Sequence, residues 1–285
     1  MINGNFAWPN NKRIAVAVTA MVESWSDGKA PPYYHAARSS GLKSGVVDSA
    51  GVAWANYGPK VGVYRIINLL RENGIRGTFC VNGRSAELFP DGVAQIVKSG
   101  HEIAAHAYTQ DQLMSYMAPD EERATIARCL DLLEKTSGLR PKGWISPTMA
   151  FSENTRGFLA EAGLLWDGDA RDADLPSLIE TKYGRIVHVP GSNFTDVRVM
   201  ESSSRDLWDV YKEGFDYLYL RETPAFLVMS IHCHFGGRPI IAAVFDKIFK
   251  YMAGHPDVWF TSYNEIAQWV LDNRLRADPR MLLKA

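Results

Sequence analysis

Lys12-Arg13-Ile14-Ala15-Val16-Ala17-Val18-Thr19-Ala20-Met21-Val22-Glu23 is the stretch on which the fold turns. Two basic residues before nine mostly apolar ones could imitate a short secretory leader. The other reading is a first strand. A continuous run rich in Val and Ala, without polar alternation, suits a parallel strand covered on both faces. The Asn-rich segment ahead of it (Asn3, Asn5, Asn10, Asn11) suits an exposed start. A buried parallel strand is therefore expected over Ile14–Val22, ending at the carboxylate of Glu23.

Outward from that strand the pattern alternates. Val63, Ile66, Ile67 and Leu70 stand at helical spacing before Gly74. Strands are predicted over 75–81, 102–105, 143–146, 164–166, 186–189, 226–231 and 258–260. Between them come helical stretches, among them Pro119–Gly138 with acids in its first turn and an apolar face of Ile126, Leu130 and Leu133. Ser262 and Glu265 form a capping box for a last helix. About eight short strands alternating with helices imply parallel strands with right-handed crossovers. With no Gly-rich phosphate loop after the first strand, a barrel is favoured over an open doubly wound sheet. The stretch Glu23–Pro59 has no such regularity but carries Tyr33, Tyr34 and Trp54. A loop of that length is expected to be a packed lid or a subunit contact.

Composition narrows the function. The 285 residues carry 31 Lys plus Arg against 32 Asp plus Glu, a formal charge of −1, which offers polyanions no general attraction. No apolar run reaches the ~18–20 residues of a membrane span. Cys80, Cys129 and Cys233 have no regular spacing, so they make neither a disulfide framework nor a zinc knuckle, and a reducing, cytoplasmic setting is expected. In a (β/α) barrel the chemistry sits at the carboxyl ends of the strands. The residues expected there are Glu23, Asn82, His106, Ser146, Asp167, Asp169, Ser192, Asn193, His232 and His234. On a helical turn His106 and Gln110 would share one face. A second His would make that a metal pair, whereas Gln is a poor zinc ligand, and His106 reads equally as a hydrogen-bonded structural residue.

Five segments, in order, carry a family resemblance. Ile75-Arg76-Gly77-Thr78-Phe79-Cys80-Val81-Asn82-Gly83, Gly100-His101-Glu102-Ile103-Ala104-Ala105-His106, Gly143-Trp144-Ile145-Ser146-Pro147, Ile231-His232-Cys233-His234-Phe235-Gly236-Gly237-Arg238-Pro239 and Val258-Trp259-Phe260-Thr261 resemble the motifs of the polysaccharide deacetylase (NodB homology, carbohydrate esterase family 4) superfamily. The resemblance spans about residues 14–272 and implies a single domain over 1–285, folded as a deformed (β/α) barrel of about seven or eight parallel strands. Tyr57-Gly58-Pro59-Lys60-Val61-Gly62-Val63-Tyr64-Arg65 resembles the branch of allantoinase-type enzymes and cyclic imide hydrolases, which form homo-oligomers. The sequence departs from the polysaccharide pattern in three places. Met21 takes the position of the family's base Asp and Glu23 that of its metal Asp. Gln110 stands for the second metal His, and Ile145 for a common Arg.

The resemblance implies a hydrolase of C–N bonds in a small, cyclic amide, imide or ureide. The rival readings are a metal-dependent polysaccharide or peptidoglycan de-N-acetylase and an inactive relative that serves as a binding protein. His232 is the expected general acid/base, with Glu23 and His106 activating water. Glu23, His106 and Gln110 are the candidate Zn²⁺ ligands. His234, Tyr108, Trp144 and Asp169 are expected to contact substrate. The partner is then a small molecule, in a dimer or tetramer, with neither nucleic acid nor membrane.

Overall fold

The computed structural model describes residues 6–33, 45–192, 194–199 and 204–277. Residues 34–44 of the long loop, and Asn193, lie outside them. Among the described residues nine strands form one curled sheet: β1 (Ile14–Val22), β2 (Thr78–Val81), β3 (Glu102–Ala105), β4 (Gly143–Trp144), β5 (Trp166–Asp167), β6 (Ser177–Thr181), β7 (Gly184–His188), β8 (Ala225–His232) and β9 (Val258–Thr261). Their order is β6-β7-β5-β4-β3-β2-β1-β8, with β9 paired to the first half of β1. Every pairing is parallel except the β6–β7 hairpin, which the sequence did not announce. The sheet is a mostly parallel half-barrel of the deformed NodB type. One parallel bridge, Thr195 to Ser230, brings the chain beyond β7 toward β8 across the opening.

β1 is buried at every position, as its unbroken apolar run requires. Its side chains divide by parity. Ile14, Val16, Val18, Ala20 and Val22 face the helical layer, while Ala15, Ala17 and Met21 face the inside of the curl. Full burial of a single Val or Ile contributes about 1.5–3 kcal/mol, so this strand anchors the sheet.

The outer helices are α1 (Ser49–Tyr57), α2 (Val63–Glu72), α3 (Gly83–Leu88), α4 (Pro90–Lys98), α5 (Pro119–Ser137), α6 (Thr155–Glu161), α7 (Asp196–Val199), α8 (Ser204–Arg221), α9 (Pro239–Ala253) and α10 (Tyr263–Asn273). The Ser262–Glu265 capping box on α10 is present. α1 corrects the expectation of an irregular stretch from Glu23 to Pro59. Asp48 caps it by accepting from Gly51 N, and one π-helical turn, Gly58–Gly62, runs it into α2. Weak amphipathic patterning in Ser49–Tyr57 hid it from periodicity.

Candidate functional site

Parity also sets the site. Glu23 continues the inward register of Ala15, Ala17 and Met21. His106 continues that of Ala104 one step past β3. His232 ends β8 on the face of Phe226 and Val228. Three strands thus deliver one carboxylate and two imidazoles to the same end of the curl, and His234 joins them from the turn after β8. Glu23 is 2% exposed and stands at the centre. Its Oε1 lies 3.6 Å from His106 Nε2 and 3.9 Å from His232 Nε2, and its Oε2 lies 3.5 Å from His234 Nδ1. Met21, aligned with the family's base, pairs with both Cys80 and His232 and fills the layer beneath.

Each ring is held by its second nitrogen. His106 Nδ1 donates to the Ile145 carbonyl at 2.6 Å, which leaves Nε2 facing Glu23 without a hydrogen-bond partner. Asn82 binds the His106 carbonyl and accepts from Ser24 N at 2.9 Å, so it clamps the chain on both sides of the site. His232 Nδ1 donates to Asp196 Oδ1 at 2.6 Å, and Asp196 Oδ2 accepts the His232 amide at 2.8 Å. Asp196 is fully buried on the short helix α7. It is the functional residue that sequence reasoning missed. The only signal was an acid in the segment after the sixth predicted strand, and loops there are acidic anyway.

The electrostatics follow from this packing. Burial alone would raise the Glu23 carboxyl, but the charge of His232 and the nearness of His106 and His234 outweigh it and hold it at about 2. Burial opposes the charged form of His232, yet Asp196 and then Glu23 raise it to about 9. His234 has no such partner behind it; burial lowers it to about 3, against the pull of Glu23. At neutral pH the site therefore holds an ionised Glu23, a charged His232 and a neutral His234.

The loop reaches over His234. Tyr33 Oη meets His234 Nε2 at 2.7 Å, with the two rings stacked. Trp25 and Trp54 pack edge-on against the same imidazole at 5.5 and 5.1 Å. Arg238 Nε donates to the His234 carbonyl, and its guanidinium lies over Tyr57 and Trp54. The described part of the loop acts as a cover.

Of the expected substrate contacts, Trp144 and Tyr108 are not brought to this cluster, and Asp169 lies near His106 with both oxygens already engaged. Trp144 is wholly buried in the core, its indole donating to Ser146 Oγ. Tyr108 turns outward, bonding Glu87 with Arg128 over its ring. Asp169 is 3% exposed, and both its oxygens are occupied by Ser146. Burial and then Asp167 raise its carboxyl to about 7. Asp167 itself is taken up by Arg156 and His188. His101 sits at the opposite, amino end of β3, accepting from Gly77 N.

The helical turn expected over His106–Gln110 is absent, because Ala107 takes a φ of 53° and swings the chain out of register. Gln110 Oε1 is buried without a hydrogen-bond partner. Among the described residues no group of three or more His, Cys, Asp or Glu is arranged to hold a metal ion. Glu23, His106 and Gln110 supply one carboxylate, one imidazole and one amide, which falls short of the three strong protein ligands of catalytic zinc sites. That triad by itself does not fit a resident Zn²⁺.

A curled parallel sheet with an acid and imidazoles gathered at its carboxyl end is the architecture of a hydrolase of the NodB type. Residues 55–165 match the family described as polysaccharide deacetylase. The chain is 27% identical to a putative polysaccharide deacetylase of known structure from Mycobacterium smegmatis, with a TM-score of 0.82 over 98% of both chains. It is 28% identical to the crystal structure of PuuE allantoinase, with a TM-score of 0.82 over 94% of this chain and 93% of that one. A peptidoglycan deacetylase from Helicobacter pylori is 25% identical over 258 residues, 78% of this chain and 86% of the relative. Residues 55–165 thus match the polysaccharide deacetylase family model, and the whole chain is similar in fold to solved structures named for that family. Among the described residues no helix is long and apolar enough to cross a membrane.

Proposed function

We propose that the protein hydrolyses a C–N bond of a small cyclic amide, imide or ureide. The observation that carries this reading is the Glu23 carboxylate flanked by three imidazoles and roofed by Trp25, Tyr33 and Trp54. Three aromatics over so compact a centre favour a flat small ring over a polymer chain.

Hydrolysis needs a base, a stabiliser for the tetrahedral oxyanion and an acid for the leaving nitrogen. A water between Glu23 Oε1 and His106 Nε2 gives its proton to the Nε2 lone pair as its oxygen bonds the carbonyl carbon. Glu23, ionised but weakly basic, orients that water. The oxyanion forms beside the His232 imidazolium, whose Nε2–H then protonates the leaving nitrogen as the C–N bond breaks. Glu23 Oε1 lies between His106 Nε2 and His232 Nε2, so the proton taken by the first can return to the second through it.

The named Helicobacter pylori relative favours a second reading, de-N-acetylation of peptidoglycan. A panel of hydantoins, succinimides, allantoin and N-acetylglucosamine oligomers, each with and without chelator, decides between them. Ring opening that survives chelator is the expected result. Release of acetate from the oligomers alone, abolished by chelator, overturns the proposal. Turnover of nothing favours an inactive binding protein. Assembly into a homo-oligomer in the cytoplasm belongs to the same reading, and light scattering of the pure protein tests the assembly.

A further inference from the structure

We infer that Tyr33 is a positioning residue: its hydroxyl fixes His234 as the Nδ1–H tautomer, which ties one oxygen of Glu23 to His234 and leaves the other for the reacting water. The catalytic part of this inference rests on the proposed hydrolysis; the tautomer does not.

The argument is one of donors and acceptors. His234 is fully buried, and its Nδ1 faces Glu23 Oε2 at 3.5 Å; no other group satisfies either atom, and each is the nearest partner the other could take. An ionised carboxylate only accepts, so the single proton of a neutral imidazole belongs on Nδ1. Nε2 is then a lone pair, and the group 2.7 Å from it is the Tyr33 hydroxyl, which must donate. The wider setting agrees. Burial first, with Glu23 and Asp196, raises the Tyr33 phenol well above its ordinary value, so it keeps its proton. The chain Tyr33 O–H to His234 Nε2, and His234 Nδ1–H to Glu23 Oε2, runs from the loop to the carboxylate. Oε1 stays free between His106 and His232. Without the hydroxyl, a buried acceptor is left unpaired, and the ring loses its reason to keep one orientation.

The test is Tyr33→Phe in the full chain, which keeps the ring and its packing on Trp54. Histidine-labelled ¹⁵N spectra of the wild type should show His234 protonated on Nδ1, with Nε2 an accepting nitrogen; His234→Asn supplies the assignment. In Y33F the Nε2 resonance should move and the Nδ1 proton should exchange faster with solvent. On any ring amide that the wild type opens, kcat should fall about tenfold, the equivalent of one hydrogen bond, with KM little changed. A wild-type His234 protonated on Nε2, or His234 resonances identical in Y33F, overturns the inference. So does a lowered Tm with kcat unchanged. If the spectra behave as expected and the wild type opens no ring, the hydrolysis proposal fails while the tautomer assignment stands.

Discussion

Asp196→Asn separates charge from shape at the centre of the proposed mechanism. The carboxylate is fully buried and grips His232 twice, at Nδ1 and at the backbone amide. Asparagine keeps the size and one acceptor but removes the charge. The rise of His232 from 6.5 to about 9 corresponds to about 3 kcal/mol of preference for the imidazolium, shared between Asp196 and Glu23. With Asp196 neutral, burial is opposed by Glu23 alone, and His232 should titrate near or below the ordinary value. At pH 8 the wild type then holds its acid almost fully protonated and the variant only a few per cent so. kcat/KM should fall by about thirtyfold at pH 8, and the gap should narrow as pH falls toward 6. Stability must move in the same sense. The folded-state value lies above the unfolded one, so the pair stabilises fully below about pH 6.5 and loses that contribution as pH rises through about 9. The wild-type Tm should drop between those limits, and the drop should be muted in D196N. The assays are kcat/KM on a ring amide and thermal unfolding, both from pH 6 to 10. A D196N-to-wild-type ratio that is constant with pH would refute the reasoning, because it would mean that Asp196 acts by holding the backbone alone.

Two further outcomes are expected. His232→Ala should lower kcat/KM by about 10²–10⁴, the range of a general acid, and a near-unchanged value removes His232 from the mechanism. Gly62→Ala would place a Cβ 1.9 Å from the Cys233 carbonyl oxygen, which cannot be accommodated without moving the catalytic turn; a loss of about 1–3 kcal/mol by chemical denaturation is expected, and unaltered stability would contradict the packing.

The sequence was most legible where hydrophobic period and punctuation agree. β1 announced itself because an unbroken apolar run has few other uses, and its parity places Glu23 inward. α2 and α5 were readable from their stripes. The β6–β7 hairpin was not, since its first arm is half-exposed and mixed, with no tight-turn signature beyond Gly184. α1 was lost for want of amphipathicity. The parts of the site carried by strand ends could be foreseen, because position after a strand is itself information. Trp144 could not be placed, because a large aromatic beside a site motif serves packing as readily as contact. Asp196 escaped because its meaning lies in a 2.6 Å contact with a residue 36 positions away. The His106–Gln110 spacing misled for a local reason, the left-handed turn at Ala107.

One close crossing has a consequence for how such a site can change. Gly62 and Gly237 both lie against the carbonyl of Cys233, and Gly58 lies against the backbone of His234. Arg238 ties the same turn to the Trp54 carbonyl. At its other end the loop starts from Ser24, whose amide is pinned by Asn82. The chain between is therefore sutured at both margins to the rigid part of the molecule. Apart from Tyr33, whose hydroxyl meets His234, it can be rewritten like an exchangeable cassette while the acid and the imidazoles carried by the strand ends keep their places.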